Sequence, residues 1–487
     1  MPLNRFPLTR SGALLAAAST LALSACATVG PNFQTPATPK GAAGQSYAMA
    51  GDATPAGVRL SPDARISGPW WQAFNSPELD TAIRQALADS PTVAEARAKL
   101  EKAEAQAAAV RGAQAPQVEV LANAQRERIN TAAFGFSGFP SPTINLFQVG
   151  GSVSYDLDLF GGKKRASERA GAQAEQAARQ ADAAYLTLSG QVAMQAMRIA
   201  SLRGEIAAVR EIIADDRGVI DMVRKAEAAG GEARSAISGG VQQLAEDEAL
   251  LPPLQRELDA ARHQMALLAG KSPAEWTAPD FDLASLSAPA DAPVSLPSEL
   301  IRKRPDILAA EAEMHAATAA IGVAVANQYP DIRLGASLTQ GAIQPENLFN
   351  YASSGWSLLA GVTAPVFHGG TLKAERSAAE AEARASMARY RGTVLRAFVQ
   401  VSDVLSNLGN DQQGITALQR AVDAASGNNK DAQTAYRLGG GPLVNVTQAH
   451  RALSRARRAL VRAQGQRMSD FVELYTATAA DWRTAAS

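Results

Sequence analysis

Two regions of the chain carry apolar residues at every second position. This period predicts half-exposed β-strands with one apolar and one polar face. The alternating apolar positions are Val118, Val120, Val149, Val153, Tyr155 and Leu157 in the first region, and Ile332, Leu334, Leu338, Trp356, Leu358 and Val362 in the second. Each run has roughly 10 to 13 residues, the length that a tilted strand needs to cross a hydrocarbon layer. The same pattern also fits two ordinary hairpins of a soluble sheet.

A second period, in alternating steps of four and three residues, predicts long coiled-coil helices after each strand pair. It is carried by Ile206, Val209, Ile213, Ile220 and Val223, with Asp216 interposed, and by Val394, Phe398, Val401, Leu405 and Leu408. Glycine-rich breaks follow, and a returning helix comes after each break, so each half contributes a long helical hairpin. Pro252 and Pro253 predict a break in the first returning helix. A helical bundle with an ordinary interior is the alternative.

The two halves of the chain repeat one another. Pro91 and Pro116 enclose an alanine-rich helical run, and Pro305 and Pro330 enclose a run of equal length. In each half a strand pair, a Gly-Gly pair and a very long helix follow, which predicts a duplication. The predicted divisions are a first repeat at 58–270, a linker rich in Pro, Ser and Ala at 271–299, and a second repeat at 300–487.

Composition excludes several classes of protein. The 487 residues include 47 basic and 47 acidic side chains, a balance that argues against nucleic-acid binding. Hydrophobic residues make up 46%, enough to bury a core, but only 5% are aromatic, which favours helices packed through alanine. The single cysteine excludes a disulfide framework and a multi-thiolate metal site.

The N-terminus has the pattern of a secretory signal. Arg5 and Arg10 precede a short apolar run that ends at Cys26, and this run is too short for a mature membrane helix. The residues up to this cysteine resemble the bacterial lipobox, whose cysteine receives a diacylglycerol. We therefore predict a signal peptide at 1–25, acylation of Cys26 and a lipidated tether at 26–57; the alternative is a free, buried cysteine. No further stretch predicts a transmembrane helix.

Four strands are too few to close a barrel. In lipid, an open sheet edge leaves backbone groups without hydrogen bonds, at a cost of several kcal/mol each. If the strands enter a membrane, the chain must therefore oligomerise. Aromatic residues favour the membrane, because they cluster in or beside the loops between the strands, where an interfacial girdle would lie. They are Phe134, Phe136, Phe139, Phe147, Phe349, Tyr351 and Trp356.

One long motif carries a resemblance to a known family. It runs as LPSELIRKRPDI over 296–307 and ends with a Tyr-Pro pair at 329–330. CATVGPNF at 26–33, the Trp-Trp pair at 70–71 and PVFHGG at 365–370 add to it. Together these segments resemble the outer-membrane efflux factors of the TolC-like family, and within that family the NodT-type lipoprotein branch.

The resemblance implies a mainly α fold with a β-barrel part. Four strands from each chain of a homotrimer would form a barrel of twelve strands in the outer membrane, and the coiled-coil hairpins would continue it as an α-barrel in the periplasm. The implied partners are outer-membrane lipid, a periplasmic adaptor protein and an inner-membrane transporter of the proton-driven resistance-nodulation-division (RND) type. The implied function is a passive efflux channel for small molecules, without cofactors.

By the same resemblance, the functional positions lie at the hairpin tips. Gly230 and Gly439 match tip glycines that face the adaptor, although simple helix termination explains both as well. Asn445, Gln448 and Arg451 match residues around the periplasmic aperture, where relatives often carry aspartates. Amides cannot supply a ring of negative charge, which argues against acidic cation selectivity here, whereas Arg451 favours anions. A solvated helix face is the alternative reading of all three.

No catalytic site and no metal site is predicted. The four histidines are scattered, and the carboxylates interleave with arginines along helices, as they do on solvated faces. The chain is therefore expected not to be an enzyme. Besides efflux, two hypotheses stay open: an outer-membrane channel for ABC-driven protein secretion, and a lipid-anchored helical scaffold without a pore.

Overall fold

The computed structural model describes residues 28–37, 47, 69–135, 138–287 and 297–479. The predicted signal peptide, Cys26 and Phe136 lie outside these residues. The chain divides into two compact units, and each unit draws on both sequence repeats. The sheet unit comprises Met1–Pro36, Leu100–Ala177 and Ala310–Tyr390, and the helical body comprises Ala37–Lys99, Ala178–Ala309 and Arg391–Ser487.

Helices make up most of the described chain. In chain order they are α1 (Pro77–Asp89), α2 (Pro91–Gly112), α3 (Gly162–Ala228), α4 (Arg234–Glu248), α5 (Leu251–Leu268), α6 (Pro297–Lys303), α7 (Pro305–Ala326), α8 (Thr371–Arg437) and α9 (Leu443–Ala477). The strands are β1 (Gln117–Arg128), β2 (Thr143–Leu157), β3 (Asp331–Ala342) and β4 (Ser354–Thr363). A mainly α fold with a β part is thus confirmed.

Three pairs of corresponding helices and strands in the two predicted repeats have equal lengths. Helices α2 and α7 both have 22 residues, strands β1 and β3 both have 12, and helices α3 and α8 both have 67. At about 1.5 Å per residue, each long helix measures about 100 Å. The predicted break in the first returning helix falls between α4 and α5, where Pro252 and Pro253 open α5.

The four strands form one antiparallel sheet in the order β1-β2-β3-β4. Residues that are paired across neighbouring strands share a face of the sheet. One cross-strand row, Val118-Val153-Ala336-Leu358, is apolar. The next row along, Glu119-Ser152-Ser337-Ser357, is polar and points to the opposite face. The two-faced sheet that the period-two pattern predicts is therefore present in all four strands.

Within the part of the chain that the structure describes, the apolar face of the sheet is uncovered. Val118 is 71% exposed, Leu358 75% and Trp356 76%. The aromatic residues of the two loops that join β1 to β2 and β3 to β4 are exposed as well: Phe134, Phe139, Phe349 and Tyr351. Within the described residues, β1 and β4 each pair with one strand only, so the sheet has two free edges. Both features require something other than the described residues to cover them.

Helix α7 is long and apolar enough, by length and composition, to cross a membrane. No such helix is predicted from the sequence. However, close to half of its apolar stretch is buried inside the protein. Glu313 of α7 pairs with Arg389 at 2.6 Å, and His315 lies 3.0 Å from Glu168. These polar contacts are typical of a helix that packs against other helices.

The helical body has a closed core. Trp70, Trp71 and Phe74 form a short 3₁₀ helix at 70–74, and all three are buried. Trp70 stacks on Tyr475 of α9, with 5.7 Å between ring centroids. Most coiled-coil positions also enter the core, since Ile206, Val209, Ile213, Ile220, Val223, Val394, Val401, Leu405 and Leu408 are buried. Phe398 is only half-buried. Gly465 allows α9 to approach α3, because a Cβ there would collide with Ser201.

The described part of the predicted linker, 271–287, has no helix or strand but is packed into the helical body. Phe281 is buried. Asp280 pairs with Arg203 at 2.6 Å and with Arg262 at 2.8 Å. The composition of this segment therefore predicts that it lacks helix and strand, but it does not predict that the segment packs against the helical body.

Candidate functional site

The tips of the two long hairpins have the same backbone geometry. Gly230 has a φ of 78° and Gly439 a φ of 75°. In each tip the following glycine donates its N–H to a carbonyl five residues earlier, Gly231 to Ala226 and Gly440 to Ala435, both at 2.9 Å. This is the glycine-terminated helix end known as the Schellman motif. A Cβ at Gly230 or Gly439 would meet nothing within 4 Å, so the positive φ and not crowding favours glycine.

The three predicted aperture residues lie on one side of α9, just after its start at Leu443. Asn445, Gln448 and Arg451 are spaced three apart, and all three side chains are exposed. The other side of the helix is buried through Val446, Ala449 and Leu453. The structure thus brings the three predicted residues together on one helix face.

A buried polar cluster that the sequence analysis missed lies behind that face. Nε2 of His450 is 3.0 Å from Oδ1 of Asp216 on α3, and both side chains are buried. The atoms are close but not aligned for a hydrogen bond. Burial raises the pKa of Asp247 on α4, and the nearby Asp216 adds to the rise. The sequence did contain one indication of this cluster, because Asp216 interrupts an apolar coiled-coil pattern.

A second cluster, a pair of acidic side chains, joins α8 and α9, the two helices of the second hairpin. Asp470 of α9 is buried and accepts a hydrogen bond from Nε2 of Gln466 at 2.8 Å. Burial, together with the carboxyl group of Asp411 on α8, raises the pKa of Asp470 to about 6. Two carboxyl groups in contact favour sharing one proton. Nothing in the local sequence marks this pair.

Arg304, from the long family-like motif, holds three elements of the helical body together. Its guanidinium donates to both carboxylate oxygens of Asp306, at 3.0 and 2.8 Å. It also donates to Oε1 of Gln400 on α8 at 3.0 Å and to the carbonyl of Ala477 at the end of α9 at 2.8 Å. Planar five-donor geometry is specific to arginine. The most distinctive motif in the sequence therefore has a structural role in this chain.

In the sheet unit, a buried arginine fixes the chain that follows the predicted lipid site. Arg165 donates to the carbonyls of Val29 and Gly30, at 3.1 and 3.3 Å, and to Oδ1 of Asn32 at 2.7 Å. It pairs with Glu168 at 2.7 Å. The 28–37 segment forms neither helix nor strand. The predicted tether is thus fixed at 29–32 and is not free there.

An aromatic contact extends this anchor. Phe33 stacks on His315 of α7 with 4.4 Å between ring centroids. Gly30, with a φ of 88°, packs so closely on Gly322 that a Cβ would collide with its backbone. The residues that attach this segment to α3 and α7 therefore lie within the motif CATVGPNF. The composition of the motif alone does not reveal this role.

Two separate stretches, 82–271 and 296–480, match the model of the outer membrane efflux protein family. The chain belongs to the outer membrane efflux protein family. It is similar to the pyoverdine export outer membrane protein OpmQ of Pseudomonas aeruginosa, at 28% identity over 87% of this chain and 89% of OpmQ. It is 25% identical to SilC of Salmonella typhimurium, a probable outer membrane lipoprotein, over 96% of this chain and 98% of SilC.

The fold agrees with this membership. The outer-membrane channel OprN superposes with a TM-score of 0.84 at 26% identity, over 94% of this chain and all of OprN. The family resemblance and the outer-membrane efflux function expected from the sequence are thereby confirmed. As an outer membrane efflux protein, the chain is a channel component in the outer membrane. The hypothesis of a scaffold without a pore is not supported.

Proposed function

We propose that three copies of this chain close a barrel of twelve strands and form a passive conduit for small molecules. One observation carries the proposal: the apolar row Val118-Val153-Ala336-Leu358 crosses all four strands, is exposed, and ends at two unpaired edges. Pairing β4 of one copy with β1 of the next would satisfy both edges. Lipid would then cover the apolar row.

Oligomeric state and conductance test this proposal together. The acylated protein, purified in detergent, should be trimeric by light scattering and should give step-like conductance in planar bilayers. A heated, dissociated sample serves as the control and should not conduct. A purified monomer that remains monomeric would contradict the proposal. Catalysis is not expected at any stage, because the conduit only lowers a permeability barrier.

Acylation of Cys26 is the second part of the proposal. Arg165 holds residues 29–32, which begin only three positions after this cysteine, so an acyl chain there would join lipid to a fixed point of the sheet unit. Intact mass spectrometry of the mature protein should show Cys26 as its first residue with three acyl chains. An unmodified thiol at Cys26 would contradict this part without affecting the conduit.

The hairpin tips are proposed to contact the periplasmic adaptor. Both tip glycines are exposed, and Leu438, beside Gly439, is 81% exposed. An apolar side chain at a tight, rigid turn is suited to a partner's groove. Leu438→Asp should weaken adaptor binding, whereas the matched change Leu267→Asp, at an exposed leucine of α5, should not. Equal loss in both variants would contradict a tip-specific contact.

Asn445, Gln448 and Arg451 are proposed to line the periplasmic aperture. Their shared, exposed face supports this assignment. The double change Asn445→Asp and Gln448→Asp should shift the reversal potential in a salt gradient towards cation selectivity. Asn428→Asp, at an exposed position of α8, is the matched control. An unchanged reversal potential would place these residues away from the conduction path.

The inner-membrane partner is proposed to be a proton-driven RND transporter with its adaptor. Co-purification from native membranes after mild cross-linking tests this choice. Recovery of an RND transporter would support it, and recovery of an ABC exporter would instead favour protein secretion.

A further inference from the structure

A cavity of about 400 Å³ lies between α4 and α9 in the helical body, next to the proposed aperture. Three arginines of α9 line it: Arg451, Arg455 and Arg458. Their spacing of four and three residues places them on one helix face. Gln448, which precedes them by one turn, and Ser454 line the cavity as well. This volume is within the usual range for sites that bind small molecules.

The three arginines have no carboxylate partner. Among the described residues, no acidic oxygen lies within 4.0 Å of the side-chain nitrogens of Arg451, Arg455 or Arg458. Two other arginines of the same helix are paired. Arg457 lies 3.7 Å from Asp215, and Arg462 lies 2.9 Å from Glu205. Among the described residues, Arg467 of this helix also has no carboxylate within 4.0 Å and lies over the ring of Phe471 instead, so the cavity is distinguished by three such arginines on one face.

Two buried polar atoms at this face also lack hydrogen bonds. The hydroxyl of Ser454 is buried without a partner, and so is the Nε–H of Arg458. Leaving buried polar groups without hydrogen bonds destabilises the folded protein. A bound acceptor would relieve both, because an arginine Nε–H can only donate and a serine hydroxyl can donate too.

The wall of the cavity on α4 is acidic but already engaged. Glu246 accepts a hydrogen bond from Gln242 at 2.9 Å, and Asp247 accepts one from Gln243 at 2.7 Å. Burial raises the pKa of Asp247 and so favours its neutral form. Three arginines therefore face at most two negative charges, and the cavity has a net positive charge.

We propose that this cavity binds small organic anions that carry carboxylate or sulfonate groups, as a transient site for exported molecules. Arg455 and Arg458 would hold the anionic group through paired N–H donors, Ser454 would add a hydroxyl donor, and Arg451 would attract the anion from the aperture side. This inference rests on the proposed conduit, because it concerns which molecules the conduit favours.

Binding of naphthalene disulfonate, a fluorescent dianion, to the purified full-length protein tests the site. Fluorescence anisotropy should show saturable binding that weakens as salt is added. Arg455→Gln and Arg458→Gln should each raise the Kd about tenfold, since each removes a hydrogen bond to a charged group. Arg451→Gln and Ser454→Ala should raise it less, about threefold. An uncharged naphthalene diol should not bind.

Arg457→Gln is the matched control, because it removes the same charge from the same helix outside the cavity. Its Kd should stay within about twofold of the wild-type value. Arg455→Lys keeps the charge without the fork and should give an intermediate Kd, which keeps the test valid if a glutamine variant fails to fold. Equal loss in Arg457→Gln, or no saturable binding by the wild-type protein, would overturn the site.

Conductance measured on the same preparations separates this inference from the proposed conduit. A protein that conducts but does not bind the disulfonate retains the conduit and loses the anion site. A protein that binds the disulfonate through these arginines but never conducts retains the site and loses the conduit.

Discussion

The sheet unit and the helical body bury their apolar residues in opposite ways. In the helical body, Trp70 is fully buried, and it packs within the same chain against Phe74 and Tyr475. In the sheet, Trp356 is 76% exposed and lies on the apolar face, which none of the described residues covers. The helical body is therefore a complete core, whereas the sheet is one part of a larger structure.

The difference shows that two kinds of stability operate in one chain. Burial of apolar surface within the chain stabilises the helical body whether or not the chain is assembled. The sheet gains most of its burial only when edges pair and lipid or a second copy covers the apolar row. Substitutions in the two regions should consequently be read out by different measurements.

The largest effect is expected from Trp70→Ala. Removing a fully buried tryptophan should lower the free energy of unfolding by about 4 kcal/mol, through lost burial and the cavity that remains. Thermal unfolding followed by circular dichroism at the helical minimum measures the change. Trp356→Ala removes the same side chain from the sheet and should leave the melting of the helices nearly unchanged. Similar losses in both variants would break the comparison.

The next largest effect is expected from Arg165→Met in the sheet unit. It leaves Glu168 with only His315 as a partner and leaves Asn32 and two backbone carbonyls without this donor, which should cost about 3 to 4 kcal/mol. We expect faster proteolysis near residues 28–37, measured by mass spectrometry of timed digests. Arg198→Met, at an exposed pair with Glu257, should cost at most about 1 kcal/mol.

Much of the architecture could be predicted, because it follows from local periods. Alternation predicts the strands, steps of four and three predict the coiled-coil core, and the prolines and glycines predict where elements begin and end. The tips at Gly230 and Gly439 belong to this class, since a positive φ is a local property.

The buried polar contacts could not be predicted, because their partners are far apart in sequence. Arg165 reaches residues more than 130 positions away, and Asp470 meets Asp411 on another helix. The cavity that Arg451 lines could not be predicted for the same reason, since neither α4 nor α9 alone shows that its three arginines lack carboxylate partners. Only Asp216, which interrupts an apolar pattern, gave a local signal.

A smaller effect, with a different readout, is expected from Leu358→Arg. On the lipid-facing row, an arginine near the middle of the bilayer should destabilise the assembled barrel by about 2 to 3 kcal/mol. The midpoint for heat dissociation of the oligomer on gels should fall, while the melting of the helices stays unchanged. Ser357→Arg, one residue earlier on the opposite face, should have little effect. If Ser357→Arg were the more damaging change, the two faces would be assigned the wrong way round.

The smallest effect is expected from Asp470, an acidic side chain that is buried in the helical body. The apolar row of the sheet contains no ionisable residue. Because burial raises the pKa of Asp470 from 3.8 to about 6, its folded state binds a proton more tightly than its unfolded state. Its contribution to stability is therefore complete below about pH 4 and is lost as the pH rises through about 6.

Asp470→Asn should abolish this dependence, because the amide stays neutral and can still donate to Asp411. Between pH 8 and pH 5 the wild-type protein should gain about 1 kcal/mol relative to the variant, seen as a larger rise in its melting temperature. Asp423→Asn, at an exposed carboxylate of α8, should follow the wild-type curve. If the melting temperatures of the wild type and of Asp470→Asn changed equally with pH, Asp470 would not be the group whose protonation stabilises the helical body. The interior of the helical body would then resemble the sheet in depending on apolar contacts alone.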